Sequence, residues 1–544
     1  MAVLLRRSDD LNDIPPDVAW LTTNDPSAVV DRPSKLPDSA RLLDETFNDV
    51  REDWWTLGRA LGAERSGALS HAASCASMNS DLGVMLAWHR IACQLAERTE
   101  SHLIICDDPW LFRHLATLPN VTSGRAPKLL WQWVLLYLRG IAARFYLAVK
   151  LAGAAIQARR MSEKEPPTGG KFILVYGHPA SNSSGHDAYF GGLMDLLPEI
   201  ERMLHTDCPV GVARRLGSQG KAHSLHRYGS IRLAVMGLAC RWRPSAAMRR
   251  GKFGWLVRRA AAFEGSGAAA AATRWQTVCQ ARWLDAARPT VVAWPWECHP
   301  WERAFARAAR RLGVTTIGYQ HTVVGRQMFN MTPLSDPSGE AVLPDHILCT
   351  GPAYKKQLET LGVPARILDI AGTFRIAPPV DRHDPKGPIF VALAAQAEIS
   401  RQMMTALKGL PQRYGRFAVK EHPMYPFVFD ETETIQRTRD ILGAQNSTSA
   451  VLYSTGTVGL ESMLAGLPTV KFIPEGSVAT DIMPDGMRPL ETDAAGLEDA
   501  LGRLPGYNPV DPAVVVSPVD LDVWRRYFRV ASPATQTDRP IAER

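Results

Sequence analysis

Residues 293–330 read AWPWECHPWERAFARAARRLGVTTIGYQHTVVGRQMFN, and this stretch decides the fold. An apolar run ends in a polar, aromatic loop, a helix follows, then a second strand at 315–319 and a second polar loop at 320–326. Strand, helix and strand in this rhythm make a βαβ unit with parallel strands. Both loops then leave the carboxyl ends of neighbouring strands, where open α/β sheets bind ligands. The first loop carries Glu297, Cys298, His299 and, one turn into the helix, Glu302; the second carries Gln320, His321 and Thr322. Glu297 is the first choice for a general base, with His299, His321 and Asp187 behind it, because a base needs a proton affinity tunable toward neutrality. Gln320, Thr322 and Trp296 are read as acceptor-binding, whereas Glu302, inside the helix, is read as structural.

The same rhythm recurs on both sides. Upstream, 171–176 (KFILVY) is a buried strand leading into Gly177-His178-Pro179, a Ser/Asn loop and Asp187–Leu193, which opens a helix. Runs at 17–22 and 101–106 also read as strands, 39–61 and 82–100 as helices, and 231–236 as a further strand. Downstream, strands at 346–349, 367–370, 388–393, 417–420, 450–453 and 469–472 alternate with helices at 353–361, 397–410 and 432–442. The Ser/Pro/Gly break at 335–339 marks a boundary. The expected architecture is therefore α/β: an N-terminal Rossmann-like domain at 1–335 with a helical insertion near 125–160, and a C-terminal Rossmann-like domain at 336–515. A crossover helix at 516–530 and a disordered tail at 531–544 follow.

Two strand ends in the second half suit a nucleotide. Lys420-Glu421-His422-Pro423 sits where Pro423 stops the strand and removes a donor, leaving Lys420 and His422 to face phosphate. Ser454-Thr455-Gly456-Thr457 runs from a strand into a helix, offering hydroxyls, close backbone approach and free N–H groups to an anion. Glu461, one turn in, is placed to take ribose hydroxyls or to complement the helix dipole. No GK[ST] follows, so this is no P-loop. The absence of a DxD-type motif on a plausible loop points away from an obligatory metal, and no cofactor is expected.

Bulk properties bound the reading. At 544 residues, two or three domains are the prior. The chain is 46% hydrophobic and 22% charged, as folded globular proteins are. A net charge of +7 without a zinc-finger or RNP motif disfavours nucleic acid and suits anionic substrates or an anionic membrane face. Eight dispersed cysteines with no CxxC fit a reducing cytosol. The N-terminus lacks a signal-peptide pattern, and no run of about 20 uncharged apolar residues exists. Residues 129–160 are long, aromatic and interrupted by Arg139, Arg144 and Lys150. They suit either a packed helical hairpin or an interfacial membrane helix.

Two Rossmann-like halves with a nucleotide pocket in the second resemble GT-B glycosyltransferases, whose domains face across a cleft. The KEHP stretch, the Ser/Thr-Gly helix start and E…AGLP resemble the HP and Ser/Thr motifs of bacterial capsule, sialic-acid and Kdo transferases. The W-x-E-x-H-P-W-E and I-G-Y-Q-H-T stretches, with D-A-Y-F-G-G-L at 187–193, resemble a bacterial surface-carbohydrate biosynthesis family. Asp107-Asp108-Pro109 resembles the acidic-acidic-Gly motif of bacterial sialyltransferases with Pro in place of Gly. The resemblance implies a metal-independent transferase acting in the cytoplasm or on the inner face of the cytoplasmic membrane. It implies transfer from a nucleotide-sugar, such as a CMP-linked ulosonic acid, to a glycan or lipid-linked acceptor. The competing readings are a nucleotide-sugar epimerase or hydrolase of the same fold, and a non-catalytic carbohydrate-binding subunit.

Overall fold

The computed structural model describes residues 3–23, 32–77, 79–160, 166–375, 383–411, 414–423, 425–445, 447–504 and 510–529. The tail expected at 531–544 lies outside them. Among the described residues the strands form three all-parallel sheets. The first has β1 (Val3–Arg6), β2 (Ala19–Thr22), β3 (His102–Ile105) and β4 (Val121–Ser123) in the order β2-β3-β1-β4. The second has β5 (Lys171–Val175), β6 (Ile200–Leu204), β7 (Ala222–Ser224), β8 (Val291–Pro295), β9 (Thr315–Gln320), β10 (His346–Cys349) and β11 (Leu368–Ile370). The third has β12 (Ile389–Ala392), β13 (Phe417–Lys420), β14 (Ile435–Arg437), β15 (Ala450–Tyr453), β16 (Thr469–Phe472) and β17 (Leu490–Thr492).

The two larger sheets are doubly wound. The middle one runs β11-β10-β9-β8-β5-β6-β7, so the chain leaves β5 in one direction and returns at β8 to build the other. The C-terminal one runs β14-β13-β12-β15-β16-β17, with the same reversal between β12 and β15. At such a switch point the loops diverge and leave a crevice above the strand ends. The 295–299 loop after β8 and the 454–457 loop after β15 therefore each border a crevice. The architecture is α/β with two Rossmann-like sheets, preceded by a smaller parallel sheet that the expected two-domain division does not contain.

Several expectations need correction. The boundary at 335/336 falls too early: β10 pairs with β9 and β11 with β10, so 346–370 belongs to the middle sheet. The Ser/Pro/Gly break at 335–339 is a turn within one domain, held by Arg303 against Ser335 at 2.9 Å. Residues 231–236 form a helix, not a strand, because Ser230 caps it through the Leu233 N–H at 3.2 Å. The 432–442 helix is instead β14 with turns, recruited as an edge strand by β13. Leu129–Arg160 is one continuous helix, not a hairpin. Its two glycines do not break it, and Gly140 is needed there, since a Cβ would lie 1.9 Å from the Gly265 carbonyl. Only Leu193–Leu196 of the segment opened by Asp187 is helical.

One apolar cluster runs from the first sheet (Val3, Leu5) through the middle sheet (Trp294, Ile347) to the third (Tyr453, Leu460, Met483). Polar ties reinforce it: Arg326 pairs with Asp481 at 3.0 Å and Lys35 with Glu475 at 2.6 Å. The helix Leu521–Phe528 crosses back onto the middle sheet, where Trp524 is fully buried against Phe190 and Tyr319. No helix among the described residues is long and apolar enough to cross a membrane. Trp524→Ala is expected to cost about 3–5 kcal/mol and to lower the thermal midpoint in calorimetry, whereas Arg525→Ala, at an exposed i,i+3 pair with Asp522, leaves it nearly unchanged.

Candidate active site

The turn from β8 into the helix Pro300–Arg311 is built around the Glu302 carboxylate. It accepts the N–H groups of Glu297 (3.0 Å), Cys298 (3.1 Å) and His299 (3.1 Å), and the indole N–H of Trp294 (2.9 Å). Burial pushes Glu302 up to about 7, against the pull of His299 and these donors. Cys298 sits at φ +59, a left-handed conformation that non-glycine residues adopt at a cost of order 1 kcal/mol. The Cys298–Glu302 hydrogen bond holds it, and the guanidinium of Arg303 on the Cys298 carbonyl (3.2 Å) closes the turn from the other side. Asn330 clamps the Glu297 carbonyl at 2.8 Å.

This rigid turn aims Glu297 and His299 into the crevice. His299 Nε2 meets the Glu297 carboxylate at 2.8 Å, and His321 Nε2, from the loop after β9, approaches its other oxygen at 3.6 Å. The Glu297 side chain keeps 32% of its surface exposed, against 19% for His299 and 4% for His321. Glu297 is thus the member of the cluster most open to an incoming molecule. Burial would raise its pKa, but His299, then His321 and Arg375, pull it down to about 2. Burial dominates at His321 and holds it at about 4, neutral near pH 7.

His299 has a second partner that no local pattern announced. Its Nδ1 lies 3.8 Å from the Sγ of Cys75, and His71 Nδ1 lies 3.8 Å from the same sulfur. Burial opposes ionisation of the thiol, but hydrogen bonds from His299 and His71 bring Cys75 down to about 5. Burial equally opposes protonation of His299, yet Cys75 and Glu297 hold it well above the ordinary histidine range. Cys75, His299 and Glu297 thus form a chain in which each member is held toward its charged form, with the carboxylate half-open at its outer end. Tyr189 stands edge-on to His321 at 5.0 Å, and the exposed Arg375 lies over the Tyr189 ring at 5.7 Å. Arg375 acts electrostatically on Glu297 and His321 in the middle domain and on Glu461 in the C-terminal one, so it lies within electrostatic reach of both crevices.

The remaining sequence candidates divide. Asp187 is fully committed within its own loop: it pairs with buried Arg202 at 3.2 Å and accepts from Tyr189 N (2.9 Å) and Ser181 Oγ (3.3 Å). That network leaves it structural rather than basic. Trp296 and Gln320 are wholly buried and cannot touch an acceptor. Trp296 packs beneath Gly318, and Gln320 binds Thr350 through its carbonyl oxygen at 2.9 and 3.0 Å. Thr322 is half-buried, its carbonyl taken by Gln320. Ser454 spends its hydroxyl on the Phe472 carbonyl at 2.9 Å, whereas Thr455, Gly456 and Thr457 stay half-buried at the crevice. Gly456 has φ +120, a conformation side chains rarely adopt. Glu461 is raised by burial against a hydrogen bond from Thr457. Lys420 donates to the Arg439 carbonyl, half-buried His422 lies against Tyr425 at 5.3 Å, and Pro423 is exposed. Asp108 caps the helix Pro109–Leu115 and pairs with Arg259 at 2.6 Å, a structural use of the acidic pair.

No family model matches the chain, and no curated protein does. Among solved structures, it is similar to the calicheamicin glycosyltransferase CalG4, at 14% identity and TM-score 0.37, over 69% of this chain and 100% of that one. It is similar to the UDP-N-acetylglucosamine 2-epimerase from Rickettsia bellii, at 12% identity and TM-score 0.37, over 66% and 94%. The lipopolysaccharide outer core galactosyltransferase WaaB gives 12% identity and TM-score 0.29, over 66% and 94%. Likenesses this distant carry no argument about what this chain does.

The linked pair Cys75–His299 makes a titration prediction. A depressed thiol contributes stability above its unfolded pKa near 8.5 and loses it as pH falls through about 5. The ultraviolet thiolate absorbance of wild type minus Cys75→Ser is expected to appear with a midpoint near 5. A midpoint at or above the free-thiol value would mean that Cys75 is a neutral core residue.

Proposed function

We propose that the chain transfers a sugar from a nucleotide-activated donor, of which a CMP-linked ulosonic acid is one candidate, to a surface-glycan or lipid-linked acceptor. The observation that carries this reading is the pairing of two switch-point crevices. One bears the Glu297–His299–His321 cluster, the other the Thr455–Thr457 helix start, and Arg375 lies within electrostatic reach of both. In the reaction the acceptor oxygen attacks the anomeric carbon and the carbon–oxygen bond to the leaving phosphate breaks. Held at about 2, Glu297 is a weak base toward the free hydroxyl and takes the proton late, once the oxygen's bond to the anomeric carbon has made that proton acidic. Its carboxylate, held ionised by His299, also faces the positive charge that develops on the sugar ring. Negative charge on the departing phosphate meets Arg375 and the N–H groups at the start of Val458–Leu464, with Lys420 and His422 at the end of β13, two strands along the sheet from β15. His299 is a positioning residue that keeps Glu297 charged; Cys75 acts one step further back, on His299. Work on a lipid-linked acceptor at the inner face of the cytoplasmic membrane belongs to the same reading.

The test is a thermal-shift screen with CMP, UDP, GDP and dTDP, followed by turnover with the matching nucleotide-sugar. One nucleotide is expected to raise the midpoint by linkage. Glu297→Gln is expected to keep that shift and lose about 10²–10⁴-fold in kcat, while His422→Ala weakens the shift itself. Free sugar or an epimerised donor formed without acceptor would move the assignment to a nucleotide-sugar hydrolase or epimerase. Nucleotide binding without turnover would leave a binding subunit.

A further inference from the structure

The helix Leu129–Arg160 is about 48 Å long at 1.5 Å per residue. Its buried positions are Gly140, Arg144, Ala148, Leu151, Ala155 and Ala158, a stripe at spacings of three and four that faces the protein. A surface helix normally turns a polar face outward. Here the opposite face carries Trp131 (63% exposed), Leu135, Leu138 (56%), Phe145 (61%) and Val149 (60%), with Tyr146 (71%) beside them. The short helix Ile231–Met236 lies against it and exposes Ile231, Val235 and Met236. Arg144, itself buried, ties the two by donating to the Leu238 and Gly265 carbonyls at 3.1 and 3.0 Å.

Beside the N-terminal half of this helix opens a groove of about 780 Å³. Arg113, Arg241, Arg243, Arg249 and Arg258 line it. None of the five has a carboxylate partner among the described residues. Trp133 and Tyr137 stack in its wall at 5.4 Å, and the Arg241 guanidinium lies over Tyr137 at 5.2 Å. The sequence supplies no counter-charge locally: residues 121–160 and 231–263 contain no Asp or Glu. Burial lowers the pKa of Arg144, and the nearby Arg241 and Arg243 add to that shift. Uncompensated arginines beside an outward apolar ridge fit one surface, a bilayer with anionic headgroups.

We infer that this face docks on an anionic phospholipid membrane: the ridge on 131–149 enters the acyl boundary while the arginine groove takes lipid phosphate. Arg guanidinium forks suit phosphate oxygens, and Trp and Tyr suit the headgroup level. The inference stands on surface chemistry alone and does not need the sugar-transfer reading.

Vesicle co-sedimentation of the full chain tests it. Wild type is expected to sediment with phosphatidylglycerol vesicles, to stay in solution with phosphatidylcholine, and to be released by about 1 M salt, where screening is nearly complete. The triple variant Arg241→Ala/Arg243→Ala/Arg249→Ala should lose about fivefold in partitioning per arginine removed. Leu138→Ser/Phe145→Ser/Val149→Ser should lose binding with the arginines intact. Both variants should keep the wild-type thermal midpoint, since every altered side chain is at the surface or in the groove. Equal partition onto both vesicle types, variants that bind like wild type, or a groove that takes soluble phosphate while the protein ignores vesicles would each overturn the inference. So would a dimer in light scattering that these substitutions dissociate, since a second copy would then be what covers the ridge.

Discussion

The Glu302 carboxylate is the interaction on which the rest of the crevice depends. Four N–H donors converge on it, three from successive backbone positions of one turn. A buried carboxylate without such donors would be neutral or expelled. With them, it fixes Cys298 in a left-handed conformation and fans the neighbouring side chains outward. Glu297 and His299 enter the crevice because Glu302, in the first turn of the following helix, holds the backbone N–H groups of 297–299.

From that turn the electrostatics propagate inward. His299 draws the Glu297 pKa down, and Cys75 and Glu297 together hold that of His299 up. Cys75 belongs to the segment between the helices Arg51–Gly62 and Leu82–Ala96, far from the crevice in sequence. The N-terminal sheet and its helices therefore do more than cap the middle domain: they bring the Cys75 thiol that, with Glu297, holds the His299 pKa up. Glu264 strengthens the same edge, reaching Ser70 at 2.5 Å just before His71.

The long helix and the crevice are two answers to one constraint. Parallel sheets bury both faces and place polar chemistry at strand ends, so little room remains for exposed apolar residues elsewhere. The ridge on 131–149 breaks that economy over a single helix, and the uncompensated arginines beside it give the break a chemical direction.

The sequence by itself determined the parallel α/β architecture, because apolar runs of four to six residues punctuated by Gly, Pro and acids admit little else. It also determined the Glu297–His299–His321 grouping, since both loops leave adjacent strands of one βαβ unit, and the structural part of Glu302, since its position one turn into a helix is a local fact. What only the tertiary structure decided depends on long-range pairing. β10 and β11 join the middle sheet through hydrogen bonds that no local pattern encodes. Trp296 and Gln320 look like loop residues ready for a ligand, but they are buried because strand ends above them carry further layers. Asp187 is taken by Arg202, a partner on β6, a strand whose charged sequence hid it. Cys75 and Arg375 reach the crevice from opposite ends of the chain, and sequence periodicity reports only neighbours a few residues apart.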